Sequence, residues 1–223
     1  MTQREALINT HSWTITGDEL GCPALIPFIT TWKTDNPGTS NSTSITVPTT
    51  FDNYNYDVDW NNDGIFDEFG LTGSVSHDFG VAGTYTIAIK GYFPRIYFNN
   101  GGDKEKIIAI EQWGDMNWTS MERVFYGTIN LVSNATDAPN LSSVTNMSRM
   151  FSGTESANPD TSGWDTSAVT DMAWMFLGSL LAIDPIELAQ RLKIECVFNQ
   201  ALLPISGKQL QNHRAISDVC KLV

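Results

Sequence analysis

A repeat of about 25 residues constrains this chain more than any other feature of its sequence. The segment 117–125 aligns with 144–151 and with 169–176. The residues in phase, separated by 26 and then 25 positions, are Met121, Met147 and Met172, and likewise Phe125, Phe151 and Phe176. A fixed period with apolar residues in phase predicts one coil of a solenoid per repeat, each coil burying an apolar edge against the next.

The methionine and phenylalanine stripe has two interpretations. It could line a ligand groove, or it could form the stacked core of the repeats. We favour the core, because methionine fills irregular gaps between packed elements and every coil must bury an edge. The tryptophans of the repeat segment invite a glycan-binding interpretation, since aromatic faces stack on sugars, but core packing explains them better. They are Trp113, Trp118, Trp164 and Trp174.

The part of the chain before the repeat contains short strand-like runs separated by turn residues. In Thr84–Lys90, apolar and polar residues alternate, which is typical of a half-buried strand. Residues 35–44 have almost no apolar content and indicate a loop. Short strands at close spacing predict an antiparallel sandwich over residues 26–103. The other predicted strands are Ser44–Val47, Tyr54–Trp60, Ser74–Phe79 and Arg95–Phe98.

Two resemblances to known families extend this interpretation. The motifs DVDW at 57–60, NNDG at 61–64 and HDFGVAGTYTIAI at 77–89 resemble polycystic-kidney-disease-type (PKD) domains. That resemblance implies an immunoglobulin-like β-sandwich of the kind common in extracellular adhesins and secreted enzymes. Residues 106–176 are similar to the BspA-type leucine-rich repeats of bacterial surface proteins. This second resemblance implies a cell-surface or secreted location, although the chain itself begins with no signal peptide.

The two ends of the chain differ from the middle. Residues 1–25 either close a preceding repeat array or add a strand to the sandwich. Residues 177–223 predict a helical hairpin, since Asp184–Glu187 supplies an N-cap, a proline and a glutamate at the right spacing. The net charge is -13 over residues 1–183 and +1 over residues 184–223. The tail therefore either caps the repeat array or is unrelated sequence introduced by a frame change or fusion.

A dense run of oxygen-bearing side chains makes 57–68 the best candidate for chemistry. Aspartate and asparagine alternate there, and Gly64 follows the third of them, as in oxygen-ligand calcium loops. Gly70 stands where such loops carry a bidentate glutamate, so Asp67 or Glu68 would have to substitute. The alternative is a metal-free hairpin turn in which these side chains cap backbone groups. The predicted Ca²⁺ ligands are Asp57, Asp59, Asn61, Asp63 and Asp67.

Composition excludes several classes of function. The 223 residues carry 25 acidic and 13 basic side chains, a net charge of -12, so no basic face is available for nucleic acid. No apolar run is long enough for a membrane span. Three cysteines without ligand spacing predict neither a disulfide scaffold nor a zinc site. The histidines lie in three separate segments, and no GxSxG, HExxH, Walker A or GxGxxG motif occurs.

These observations predict a mostly β protein, α+β overall: an immunoglobulin-like β-sandwich, a short leucine-rich-repeat solenoid over 104–176 and a helical hairpin. By resemblance, it is a non-enzymatic fragment of a bacterial surface or secreted protein. It would mediate adhesion or protein recognition, with an extracellular or host protein or a glycan as partner and with calcium stiffening the sandwich. The alternatives are an accessory carbohydrate-binding module of a secreted hydrolase and a structural spacer.

Overall fold

The computed structural model describes residues 25–179, which form eight strands and no helix. Most of the strands are short, as expected for a chain rich in glycine, asparagine and serine, and the longest, β6, has 9 residues. The strands are β1 (Phe28–Lys33), β2 (Ser44–Val47), β3 (Asn55–Asp59), β4 (Glu68–Leu71), β5 (Val75–Asp78), β6 (Thr84–Tyr92), β7 (Ile107–Gln112) and β8 (Val132–Ser133). No helix in this range could span a membrane.

Six of these strands form one mixed sheet in the order β4-β3-β6-β1-β7-β8. Strand β1 lies near its centre and pairs antiparallel with β6 on one side and with β7 on the other. Strand β8 adds to β7 in parallel, and β2 and β5 form a separate two-stranded antiparallel sheet. The first strand of the repeat segment is therefore part of the same sheet as the strands before it.

Alternation along the strands determines which face of the main sheet is buried. Phe28, Thr30 and Trp32 of β1 are buried and lie opposite Ile89, Ile87 and Tyr85 of β6. The buried apolar residues before and after position 104 form one cluster, which runs from Phe28 to Met175. Burial of this face is the main stabilising contribution, since apolar burial dominates folding free energy.

The three repeat segments stack as successive layers joined by backbone hydrogen bonds. The Met121 amide donates to the Asn146 carbonyl at 2.9 Å, and the Met147 amide donates to the Asp171 carbonyl at 2.7 Å. The phenylalanines stack in the same order, with centroid distances of 5.6 Å from Phe125 to Phe151 and from Phe151 to Phe176. The expectation that the methionine and phenylalanine stripe is core rather than groove is confirmed, with Met121, Met147, Phe125 and Phe151 fully buried.

The predicted leucine-rich-repeat solenoid is wrong. Within residues 104–179, the strands β7 and β8 both belong to the main sheet, and the only other pairing is one bridge between Asn146 and Asp171. The repeated segments are turns rather than strands. Their backbone has a left-handed φ at Arg123, Arg149 and Trp174, which interrupts any extended run.

The described residues are mostly β, as predicted, but the predicted sandwich module is not confirmed. A self-contained immunoglobulin-like sandwich does not form, because β1 pairs with β7 and so takes the repeat segment into the main sheet. The predicted strand Arg95–Phe98 is absent, and the Phe98 amide instead donates to the Val124 carbonyl of the first repeat layer at 3.2 Å. The described range contains no helix, and the predicted helical hairpin lies outside it, as do residues 1–24.

Candidate functional site

The acidic loop predicted to bind calcium connects two adjacent strands of the main sheet. Strand β3 ends at Asp59 and β4 begins at Glu68, and the two strands are antiparallel neighbours at one edge of the sheet. The connection carries Asn61, Asp63 and Asp67. The fold therefore places four of the five predicted ligands in one short loop.

Asp59 organises this loop although its side chain is fully buried. One carboxylate oxygen, Oδ1, accepts from the backbone amides of Asn61 at 3.2 Å and Asp63 at 3.3 Å. The other, Oδ2, accepts from the Gly64 amide at 2.8 Å. Within residues 25–179, no basic side chain forms an ion pair with Asp59, which is 0% exposed. Within the described residues, the donors to this buried carboxylate are backbone amides, and a buried charge is costly without a partner.

The remaining loop side chains also bind one another and the backbone. The Asp63 amide donates to Asn61 Oδ1 at 3.1 Å, and Asn61 Nδ2 donates to Asp63 Oδ2 at 3.1 Å. Asp63 Oδ1 accepts from the Ile65 amide at 2.8 Å. Gly64 has φ +89°, a conformation that glycine adopts without strain. These contacts are those of the metal-free turn considered as the alternative, and they use only some of the oxygen lone pairs.

The other two predicted ligands have separate partners. Asp67 Oδ2 accepts from the Trp60 amide at 2.8 Å, which holds Asp67 at the base of the loop. Asp57 Oδ1 accepts from the Gly70 amide at 2.9 Å, and its Oδ2 lies 3.8 Å from Lys90 Nζ. Asp57 is therefore bonded to β4 and β6 rather than to the loop.

The donor chemistry of Asp59, Asn61, Asp63 and Asp67 fits a hard cation such as Ca²⁺, which takes carboxylate and amide oxygens. Their geometry is that of a capped turn, and within the described residues no group of three or more His, Cys, Asp and Glu is arranged to hold a metal ion. The loop thus offers suitable oxygens around one buried, unneutralised carboxylate.

A second group of interest lies at the corners of the repeat layers. Arg123, Arg149 and Trp174 occupy equivalent positions with φ of 54°, 55° and 58°. A side chain other than glycine costs about 1–2 kcal/mol in this conformation, and such strain often marks functional positions. The Arg149 guanidinium lies 3.9 Å from the centroid of the Trp174 ring. The prediction that all four repeat tryptophans are core is wrong for Trp174, which is 38% exposed.

Sequence reasoning did not single out this corner, although the repeat alignment contains the signal. Alignment on the methionines puts Arg123, Arg149 and Trp174 in one column, with Glu122, Ser148 and Ala173 in the column before it. A substitution from arginine to tryptophan in a repeated position marks that layer as different from the others.

A buried polar network was also not foreseen from the sequence. Asp103 accepts from the amides of Thr39, Ser40 and Thr46 at 2.8, 2.9 and 2.7 Å and from Ser40 Oγ at 2.6 Å. Burial acts to raise the pKa of Asp103, but these hydrogen bonds and the nearby Lys106 charge outweigh it, so the pKa lies below its ordinary value. For Lys106, desolvation lowers the pKa.

His77 is the one histidine inside the described range, and its contacts are aromatic. Its ring stacks on Trp60 with centroids 4.5 Å apart and meets Phe79 edge-on at 4.6 Å. His11 and His213, and the cysteines at 22, 196 and 220, lie outside the described residues.

Comparison with known protein families finds a match that lies mostly in the second half of the chain. Residues 96–201 match the family model described as "Mycoplasma protein of unknown function, DUF285". The match covers a little under half of the chain and includes the three repeat layers. No curated protein and no solved structure matches the chain. The family match supports a bacterial surface-protein context, without specific support for PKD domains or leucine-rich repeats.

Proposed function

We propose that this chain is a non-enzymatic recognition segment of a bacterial surface protein, and that it mediates adhesion through its repeat layers. The observation that carries the proposal is the family match over residues 96–201, which includes those layers. The absence of catalytic motifs from the sequence supports a binding role over an enzymatic one.

The fold offers a rigid support for such a role. The repeat layers share one apolar core with the main sheet, so their exposed corners are held by the whole structure. Rigid elements lower the entropy cost of binding, because fewer side chains and loops are ordered when the partner arrives.

We also propose that Ca²⁺ stiffens the β3–β4 loop, with Asp59, Asn61, Asp63 and Asp67 as its ligands. The buried Asp59 carboxylate supports this, since a cation would neutralise a charge that only amides now compensate. Bound calcium would supply positive charge and cross-link the two ends of the loop.

The adhesion proposal is tested with fluorescent beads coated with the purified chain and settled on a cultured epithelial cell layer. We expect saturable retention that free chain abolishes. Beads coated with serum albumin provide the background. Retention no higher than this background, or retention that free chain leaves unchanged, would overturn the proposal.

A further inference from the structure

The corner where Arg149 meets Trp174 has the features of a site for a carboxylated sugar. We propose that these two side chains bind a sugar with a single carboxylate, such as a uronic acid residue of a glycan. The inference rests on the proposed recognition function and names the chemical class of its ligand.

No carboxylate among residues 25–179 neutralises the charge of Arg149, unlike that of its equivalent in the first layer. Arg123 Nε lies 3.3 Å from the Glu122 carboxylate, but Ser148 replaces that glutamate in the second layer. Ser148 Oγ donates instead to Asn146 Oδ1 at 2.7 Å. Within residues 25–179, every basic side chain except Arg149 and the buried Lys106 has a carboxylate in ion-pair distance.

The position of the Arg149 guanidinium suits a carboxylate ligand. It lies over the face of Trp174 at 3.9 Å, so the ring supports one side of the planar group. Within the described part of the chain, no residue accepts a hydrogen bond from this guanidinium. A carboxylate accepts two parallel N–H groups from the edge of a guanidinium, and stacking on an aromatic face leaves that edge accessible.

The exposed part of Trp174, which the Arg149 guanidinium leaves uncovered, supplies the apolar surface that a sugar needs. Trp174 is the exposed member of the four repeat tryptophans, whereas Trp113, Trp118 and Trp164 are buried. A pyranose ring has a face of C–H groups that packs on an indole, and binding sites combine such apolar area with a few directed polar groups.

The overall charge favours a single carboxylate over an acidic peptide. With a net charge of -12, the protein repels a ligand that carries many negative charges. A sugar with one carboxylate brings the group that Arg149 recognises at little repulsive cost, and its ring gains the contact with Trp174 that an aspartate or glutamate side chain lacks.

The test is a titration of the full chain with methyl β-D-glucuronide, followed by amide NMR shifts, with methyl β-D-glucoside as the neutral control. We expect a Kd of about 1 mM for the glucuronide, as for a ligand of this size, and at least tenfold weaker binding of the glucoside. Arg149→Gln and Trp174→Leu should each weaken glucuronide binding about tenfold. Arg123→Gln, the matched change in the neutralised layer, should leave it unchanged.

Equal binding of both sugars by the wild-type chain would overturn the proposal, and this comparison requires no variant to fold. A folded Arg149→Gln variant that binds the glucuronide as tightly as wild type would also overturn the proposal. Tighter binding of a short oligoglutamate peptide through Arg149 would assign the site to acidic polypeptides instead. Bead adhesion without glucuronide binding would refute this inference and leave the proposed function standing, and glucuronide binding without bead adhesion would support the site and refute adhesion.

Discussion

Lys106 Nζ donates a hydrogen bond of 2.6 Å to the backbone carbonyl of Asn41, although 65 residues separate them in the chain. The same ammonium donates to the Ser40 and Ser44 carbonyls and to Ser40 Oγ, at 3.1, 2.9 and 2.8 Å. Lys106 is 1% exposed. It therefore holds the polar loop 35–44 against the turn that leads into β7.

Replacing this buried ammonium should destabilise the fold strongly. Lys106→Met removes the charged donor that three carbonyls and one hydroxyl share, and we expect a loss of about 3 kcal/mol in the free energy of unfolding. Urea denaturation measures it. The control is Lys104→Met, because Lys104 forms a partly exposed ion pair with Glu105 at 3.4 Å and should cost less than about 1 kcal/mol. Equal losses for the two variants would contradict the assigned role of Lys106.

The Asp103 carboxylate should make stability fall in acid. Its pKa in the folded state is below the ordinary value of 3.8, so the folded state binds its proton more weakly than the unfolded state does. The contribution is present above the unfolded pKa and is lost as the pH falls through the folded pKa. We expect Asp103→Asn to be less stable than wild type at neutral pH, and the difference to shrink below about pH 4. Urea denaturation across this pH range measures the difference in stability between the two proteins. A difference that does not change with pH would contradict the assigned role of Asp103.

Gly91 of β6 lies opposite Tyr56 of β3, directly against the β3 backbone. It has φ +94°, and a Cβ there would lie 2.8 Å from the Asn55 carbonyl oxygen. Gly91→Ala should therefore cost about 2 kcal/mol or more. Gly73→Ala is the matched control, since Gly73 has no heavy atom within 4 Å of such a Cβ and no left-handed φ. A melting temperature unchanged by Gly91→Ala would show that the two strands separate easily at this point.

The calcium proposal predicts a metal-dependent melting temperature. Millimolar Ca²⁺ should raise the melting temperature of the wild-type chain, because a ligand that binds only the folded state stabilises it. The double variant Asp59→Ala, Asp63→Ala should show no such rise, whereas Asp57→Asn should keep it, since Asp57 is bonded to Gly70 and Lys90. If Ca²⁺ leaves the melting temperature of the wild-type chain unchanged, the proposed calcium site is wrong.

Local features of this fold could be predicted from the sequence, because they depend on neighbouring residues. Strand β2 has the predicted bounds Ser44–Val47, and the alternation in Thr84–Lys90 correctly indicated a strand with Ile87 and Ile89 buried. The spacing of the repeat correctly indicated that Phe125 and Phe151 stack in a core.

Contacts between distant parts of the chain could not be predicted in this way. Nothing in the sequence of β1 indicates that it pairs with β7 as well as β6, so the two halves were expected to fold as separate modules. The burial of Lys106 depends on carbonyls more than 60 residues away. For the acidic loop, the sequence identified the right residue types, but it could not show that Asp57 turns to Lys90.

The most direct test of the account is competition for bead adhesion by free sugar. Beads coated with the chain are settled on the epithelial cell layer in the presence of millimolar methyl β-D-glucuronide or methyl β-D-glucoside. If the chain is a recognition segment that binds through Arg149 and Trp174, the glucuronide releases the beads and the glucoside does not. Beads that stay bound equally in both sugars would contradict recognition through this corner.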